Sequence, residues 1–197
     1  QHIPFKKDMY HFIEVLAKRC EDAGVDILLN TEVTPEEVAE MGADVVMTAV
    51  GAKPIIPQIP GIDNAKVTGL KALESETPAV GQKVAILGGG LVGSEVAIYL
   101  DMIGKDVTVV EMKDTWASDD YWMHKVAMDK YIRDSRIDIK VNTTAKEITD
   151  AGIVCNTPDG DILIEADTVL LAAGMKADRA SADGFLNTAP RVFEIGD

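Results

Sequence analysis

Positive charge is scarce in this chain: 19 Lys and Arg stand against 33 Asp and Glu, a formal net charge of −14. A nucleic-acid partner needs clustered cationic side chains to displace counterions from phosphates, and an anionic membrane surface asks for the same, so neither is expected. Cysteine is scarcer still. Cys20 and Cys155 stand far apart in no CxxC spacing, which removes a zinc ribbon, a cluster site and a dithiol redox motif, and makes a reducing cytoplasm the expected location. The histidines, His2, His11 and His124, follow no metal-ligand pattern, so no metal is expected. No apolar run approaches the ~18 residues that cross a bilayer, and the start Gln1-His2-Ile3-Pro4-Phe5-Lys6-Lys7 lacks an apolar signal core. What the chain does have is 197 residues, 47% of them apolar. A chain of that size buries roughly 70% of its unfolded surface, as one large domain or two small ones.

Met9, Phe12, Ile13, Val15, Leu16 and Cys20 recur at helical spacing and predict a helix over 7–23, stopped by Gly24. Residues 25–29 (Val-Asp-Ile-Leu-Leu) read as a strand. Thr34-Pro35-Glu36-Glu37 is a helix start with Thr34 as N-cap and Glu37 closing a capping box. Asp44 to Val50 is an apolar run expected to be a strand buried on both faces. It leads into Gly51-Ala52-Lys53-Pro54-Ile55-Ile56-Pro57-Gln58-Ile59-Pro60-Gly61, too rich in Pro and Gly for helix or central strand, and hence a linker and domain boundary. Beyond it the pattern predicts a strand at 83–87, a helix from Leu91 to Ile103, a strand at 106–111, a helix over 121–134 and a strand at 137–140. Three short alternating runs follow, at 144–148, 152–156 and 161–165, the last two joined by the turn Thr157-Pro158-Asp159-Gly160. A last buried strand covers 168–174. Alternating strands and helices of this kind make a parallel sheet covered by helices.

Gly88-Gly89-Gly90-Leu91-Val92-Gly93 fits G-x-G-x-x-G, directly after a strand and at the start of an apolar helix. Glu111 ends the next strand, at the spacing expected of a ribose-binding acid. Gly88 permits the tight turn, Gly90 lets a pyrophosphate approach the backbone, and Gly93 lets the helix pack closely. The helix N-terminus offers free N–H groups and partial positive charge to phosphate, so no cation is required. Glu111 can accept from both ribose hydroxyls. A 2′-phosphate within ~4 Å of it meets a like charge worth about 4 kcal/mol near a surface, so NAD(H) is expected over NADP(H), with Lys113 softening the preference. A methyltransferase-like fold also pairs a glycine loop with an acid, but usually without the three-strand excursion.

Through these motifs the sequence resembles the pyridine-nucleotide region of an FAD/NAD-dependent oxidoreductase. Asp44 to Ala52 with Pro54, Pro57, Ile59, Pro60 and Gly61 is similar to that superfamily's A-T-G-x-x-P strand and crossover, with Ala-Val-Gly in place of Ala-Thr-Gly. Residues 167–174 resemble the strand leaving its NAD domain, and Arg191 to Asp197 the strand whose terminal Gly-Asp holds FAD. Lys6-Lys7-Asp8-Met9, Phe12-Ile13 and Gly88 to Glu95 most resemble the C-terminal half of old-yellow-enzyme-like 2,4-dienoyl-CoA reductases and enoate reductases. The resemblance implies an α/β fold: a Rossmann-like parallel sheet with an antiparallel three-strand meander, in a three-layer sandwich. It implies residues 1–61 as part of a split FAD-binding domain, 62–175 as an NAD(H)-binding domain and 176–197 as the returning FAD-domain piece. It further implies NADH and FAD as cofactors, with FMN and an iron–sulfur cluster supplied by a parent chain and not here. The chain is then expected to be a segment of an NADH:flavin oxidoreductase acting on an enoate-type substrate. The other reading is a stand-alone dinucleotide-sensing module without catalysis.

By the same resemblance Gly51, Met112, Lys113, Ala173, Gly174 and Asp197 join the cofactor-binding candidates, Gly174 because a side chain there would block the nicotinamide. Glu95 is the one catalytic candidate. An acid at its place lies near the nicotinamide in related flavoproteins, and plain capping of the helix dipole stands beside that role. Ser94 is expected either to donate to a phosphate or to cap the helix. Trp122, Met123, Met128 and Tyr131 read as core or interface residues, and Cys20 and Cys155 as small buried hydrophobes.

Overall fold

The computed structural model describes residues 6–75 and 77–196. In chain order the helices are α1 (Asp8–Asp22), α2 (Pro35–Glu40), α3 (Leu91–Met102), α4 (Trp122–Asp134) and α5 (Arg179–Asp183). The strands are β1 (Val45–Thr48), β2 (Ala52–Pro54), β3 (Val67–Thr68), β4 (Lys83–Leu87), β5 (Asp106–Val110) and β6 (Asp138–Lys140). They continue with β7 (Thr144–Thr149), β8 (Gly152–Thr157), β9 (Gly160–Glu165), β10 (Thr168–Leu171), β11 (Met175–Ala177) and β12 (Arg191–Glu194). The chain forms two units, one of Lys6, Lys7 and Ile55–Gly174, the other of Asp8–Pro54 and the return from Met175.

In the larger unit β3, β10, β4, β5 and β6 lie in that order in one parallel sheet. Beyond the exposed Lys83 at its start, β4 is an unbroken apolar run for a physical reason. Val84 and Ile86 point into a cluster with Val96, Tyr99 and Leu100 of α3, whereas Ala85 and Leu87 point into one with Ile148, Ile153, Cys155 and Ile164 of the antiparallel meander β7-β8-β9. Successive side chains of a strand face opposite ways, so a strand covered on both sides must be apolar throughout. Helices on one face and a three-strand sheet on the other make the expected three-layer α/β sandwich. Ile86, Leu100 and Leu170 are fully buried, each worth about 1.5–3 kcal/mol. The β8–β9 turn is as expected: Gly160 takes φ +118, and the Thr157 hydroxyl donates to its carbonyl at 2.8 Å.

In the smaller unit the capping box of α2 is in place, with the Thr34 amide donating to Glu37 Oε2 at 2.7 Å and the Glu37 amide to Thr34 Oγ1 at 3.3 Å. β1 pairs in parallel with β12, and β2 antiparallel with β11. Three expectations fail here. The segment 25–29 is not a strand: no described strand pairs with it, and its apolar side chains are exposed. β1 is not buried on both faces, because its sheet has only two strands among the described residues; Met47 is 65% exposed. α1 forms at the predicted place, yet none of its residues is buried, so Cys20 is exposed. Periodicity predicts an apolar helical face; it does not supply what covers that face.

Candidate functional site

β4 delivers the chain to Gly88, whose φ of +108 lies in the left-handed region and where a Cβ would run into the Ala172 carbonyl. A Cβ on Gly89 would stand 2.9 Å from the Glu111 Cβ, and one on Gly93 would strike the Gly88 carbonyl oxygen, so the first turn of α3 rests on the glycine turn itself. The Gly89 amide donates to Glu111 Oε2 at 2.7 Å, and the Lys113 amide to Oε1 at 2.8 Å. Glu111, only 7% exposed, is thereby held by both oxygens. Each oxygen keeps a lone pair for a further donor. Gly90 is the N-cap of α3 and has no side chain to cap with; Asp119 takes that part, its Oδ1 accepting the Leu91 amide at 3.0 Å. Ser94 neither caps nor faces outward: it is buried, its hydroxyl donating to the Gly89 carbonyl at 3.3 Å.

These groups border a cleft of about 350 Å³. Of the sequence-predicted residues, Gly88, Gly90, Glu111, Met112, Lys113, Ala173 and Gly174 line it, while Gly89 and Gly93 support it from behind. Leu91 and Val92 begin α3 outside the lining, Gly51 lies in the other unit, and Asp197 falls outside the described residues, as does His2. The sequence reading missed Asp119 and the wall Thr143-Thr144-Ala145. The wall is set by the Thr143 amide donating to the Glu111 carbonyl at 2.9 Å, a long-range backbone bond that no motif announces. Asp119 carries no spacing signal because a loop brings it back.

Glu95 faces away from this cleft. It is 6% exposed, pairs with Lys6 Nζ at 2.5 Å, lies 3.9 Å from His124 Nε2, and lines a separate apolar cavity of about 130 Å³ with Met102, Met128 and Tyr131. The catalytic expectation for Glu95 gains no geometric support from this unit, because α3 turns the side chain towards α4. Among the α4 residues Met128 is buried and Trp122, Met123 and Tyr131 are exposed. Cys155 is buried, and desolvation pushes its thiol up to about 11. No cluster of three metal-ligating side chains exists among the described residues, and no described helix is long and apolar enough to cross a membrane.

A parallel sheet, a glycine turn and an antiparallel meander together define the fold of the FAD/NAD-dependent oxidoreductases. The chain belongs to the pyridine nucleotide-disulphide oxidoreductase family, whose profile matches residues 22–192. That sets aside the methyltransferase-like alternative. It is 34% identical over 197 residues to the cinnamate reductase of Clostridium sporogenes, covering 98% of this chain and 29% of the relative. It is 28% identical over 176 residues to the NADH oxidase of Thermoanaerobacter brockii, covering 87% and 27%. Among solved structures, a 2-naphthoyl-CoA reductase in complex with 2-naphthoyl-CoA superposes with a TM-score of 0.90 at 33% identity, covering all of this chain and 30% of that one. The chain thus spans about 30% of the length of these relatives.

Proposed function

We propose that the cleft is an NADH seat and that this chain is the NADH-binding region of a longer flavin-dependent oxidoreductase. The observation that carries the reading is Glu111: a buried carboxylate, fixed by two backbone amides at the rim of the same cleft as the glycine turn, with lone pairs left for ribose hydroxyls. The bare Gly90 and the N-terminus of α3 suit a pyrophosphate. Met112, Lys113 and residues 143–145 would flank the adenosine. Ala173 and Gly174 would flank the nicotinamide, since Gly174 takes φ +100 and a Cβ placed on it would meet nothing nearer than Ile55 Cδ1 at 3.6 Å. Selection of NADH over NADPH rests on the Glu111 charge. Lys113, the cation that would offset it, donates to Ser118 Oγ at 2.8 Å.

Bound NADH supplies a hydride; this chain's residues bind and orient it. In the longer parent the proposed reaction is reduction of an enoate-type substrate, with FAD, FMN and an iron–sulfur cluster as the parent's redox groups and residues 1–61 and 176–197 as pieces of a split FAD domain. A relative named for cinnamate, an unsaturated carboxylate, supports that substrate class, and the uncovered apolar face of α1 supports a missing partner segment. A cytoplasmic location goes with the reading. Calorimetric titration of the chain should give saturable NADH binding, weaker NADPH binding, and no FAD retained through gel filtration. Absence of NADH binding overturns the seat. FAD that stays bound overturns the split-domain reading, and NADH binding by a full-length protein that reduces no flavin or dye would make it a sensing module.

A further inference from the structure

One carboxylate is unexplained by the NADH seat. Asp119 Oδ1 accepts the Leu91 amide at 3.0 Å, and its Oδ2 stands 3.1 Å from where a Cβ on Gly90 would lie. That is the donor, and the space, that an incoming phosphate uses at a helix N-terminus. A carboxylate and a pyrophosphate at one N-terminus repel each other and compete for one N–H. The loop that carries Asp119 is tied down along its length. Ala117 is buried with φ +44, a conformation a non-glycine residue rarely adopts, and its amide donates to the Gly89 carbonyl at 2.6 Å. Next to Asp119, the Asp120 carboxylate meets His124 Nδ1 at 2.9 Å and accepts the Tyr121 amide at 2.7 Å. Lys125 Nζ donates to the Trp116 carbonyl at 2.6 Å and stands 5.0 Å from the centre of that indole.

We propose that Asp119 is an internal competitor for the cofactor's pyrophosphate: residues 114–121 form a strap that seats its carboxylate on the N-terminus of α3, and NADH binds only as the strap lifts. The proposal rests on the NADH reading and adds how that site is regulated. His124, outside the cleft, is one anchor of the strap, through Asp120.

The test is calorimetric titration of the wild type, Asp119→Asn, Asp119→Ala and His124→Ala with NADH, and separately with inorganic pyrophosphate, each protein checked for native circular dichroism. Asp119→Asn keeps an acceptor oxygen and loses the charge; Asp119→Ala loses both. Both should bind NADH and pyrophosphate about ten-fold more tightly, the scale of one carboxylate contact at a helix N-terminus. His124→Ala, which leaves Asp119 in place and frees the strap, should bind several-fold more tightly. NADH binding by the wild type with unchanged or weaker binding by the folded variants overturns the strap and leaves the seat standing. No NADH binding by any of the folded proteins overturns both. If the Asp119 variants fail to fold, unchanged NADH binding by His124→Ala overturns the strap.

Discussion

Replacing Glu111 by Gln keeps the shape of the side chain and removes its charge and one of its two acceptors. The carboxylate now satisfies the Gly89 amide at 2.7 Å and the Lys113 amide at 2.8 Å. Gln offers a single carbonyl, and it will turn that towards the buried Gly89 donor, leaving its own NH2 against the Lys113 amide. Burying an unpaired donor costs about 1–3 kcal/mol. Because Lys113 is exposed, water can reach that end, and the expected loss of stability is about 1–2 kcal/mol, at the lower side of that range. The larger effect is on the cofactor. In the proposed seat two ribose hydroxyls lose a charged acceptor, worth about 1.5–3 kcal/mol, so NADH affinity should fall about 10- to 100-fold. NADPH should lose less, because the like-charge repulsion of roughly 4 kcal/mol against its 2′-phosphate goes as well. Urea unfolding reads the first number and paired titrations with NADH and NADPH read the second. A Glu111→Gln protein that unfolds like the wild type and keeps its NADH affinity and its discrimination would refute the clamp as the basis of binding.

The Gly93→Ala protein has no room for its methyl against the Gly88 carbonyl, so α3 must move; a loss of about 1–3 kcal/mol in thermal or urea unfolding is expected, and a neutral effect would show that the helix start yields freely. Thiol titration with an aromatic disulfide should find one reactive group in the native chain, exposed Cys20, with Cys155 reacting only after denaturation. Because the folded state raises the Cys155 thiol from 9.0 to about 11, its contribution is complete below pH 9 and is lost as pH rises through 11; Cys155→Ala should flatten that alkaline decline. The Lys83 amide, donating to Asp167 Oδ2 at 2.8 Å, holds that carboxyl below its ordinary 3.8. Its stabilisation is therefore present above pH 3.8 and lost on acidification below it, and Asp167→Asn should shrink the acid-side fall in stability seen by urea unfolding.

Most of the larger unit was legible from residue order. The β4–glycine–α3–β5–Glu111 segment spans fewer than thirty residues, and each part is dictated locally: apolar runs for doubly covered strands, positive φ for Gly88, a missing Cβ for Gly93. The short elements β3, β11 and α5 were not legible, since two to five residues carry no period to detect. In the smaller unit the residues 25–29 have strand composition and no partner, and strands exist only by pairing.

By itself, then, the order of amino acids determined the alternation of strands and helices, the turn that glycine alone permits, and the acid placed beside it. Those features come from backbone sterics and from side chains close in the chain. Only the tertiary structure decided that Glu95 turns from the cleft to Lys6 and His124, that Thr143 to Ala145 wall it, and that Asp119 sits on the amide a phosphate would need. Each of these contacts joins residues separated by many positions, and which of the available partners a charged side chain meets is settled by packing, to which spacing along the chain is blind.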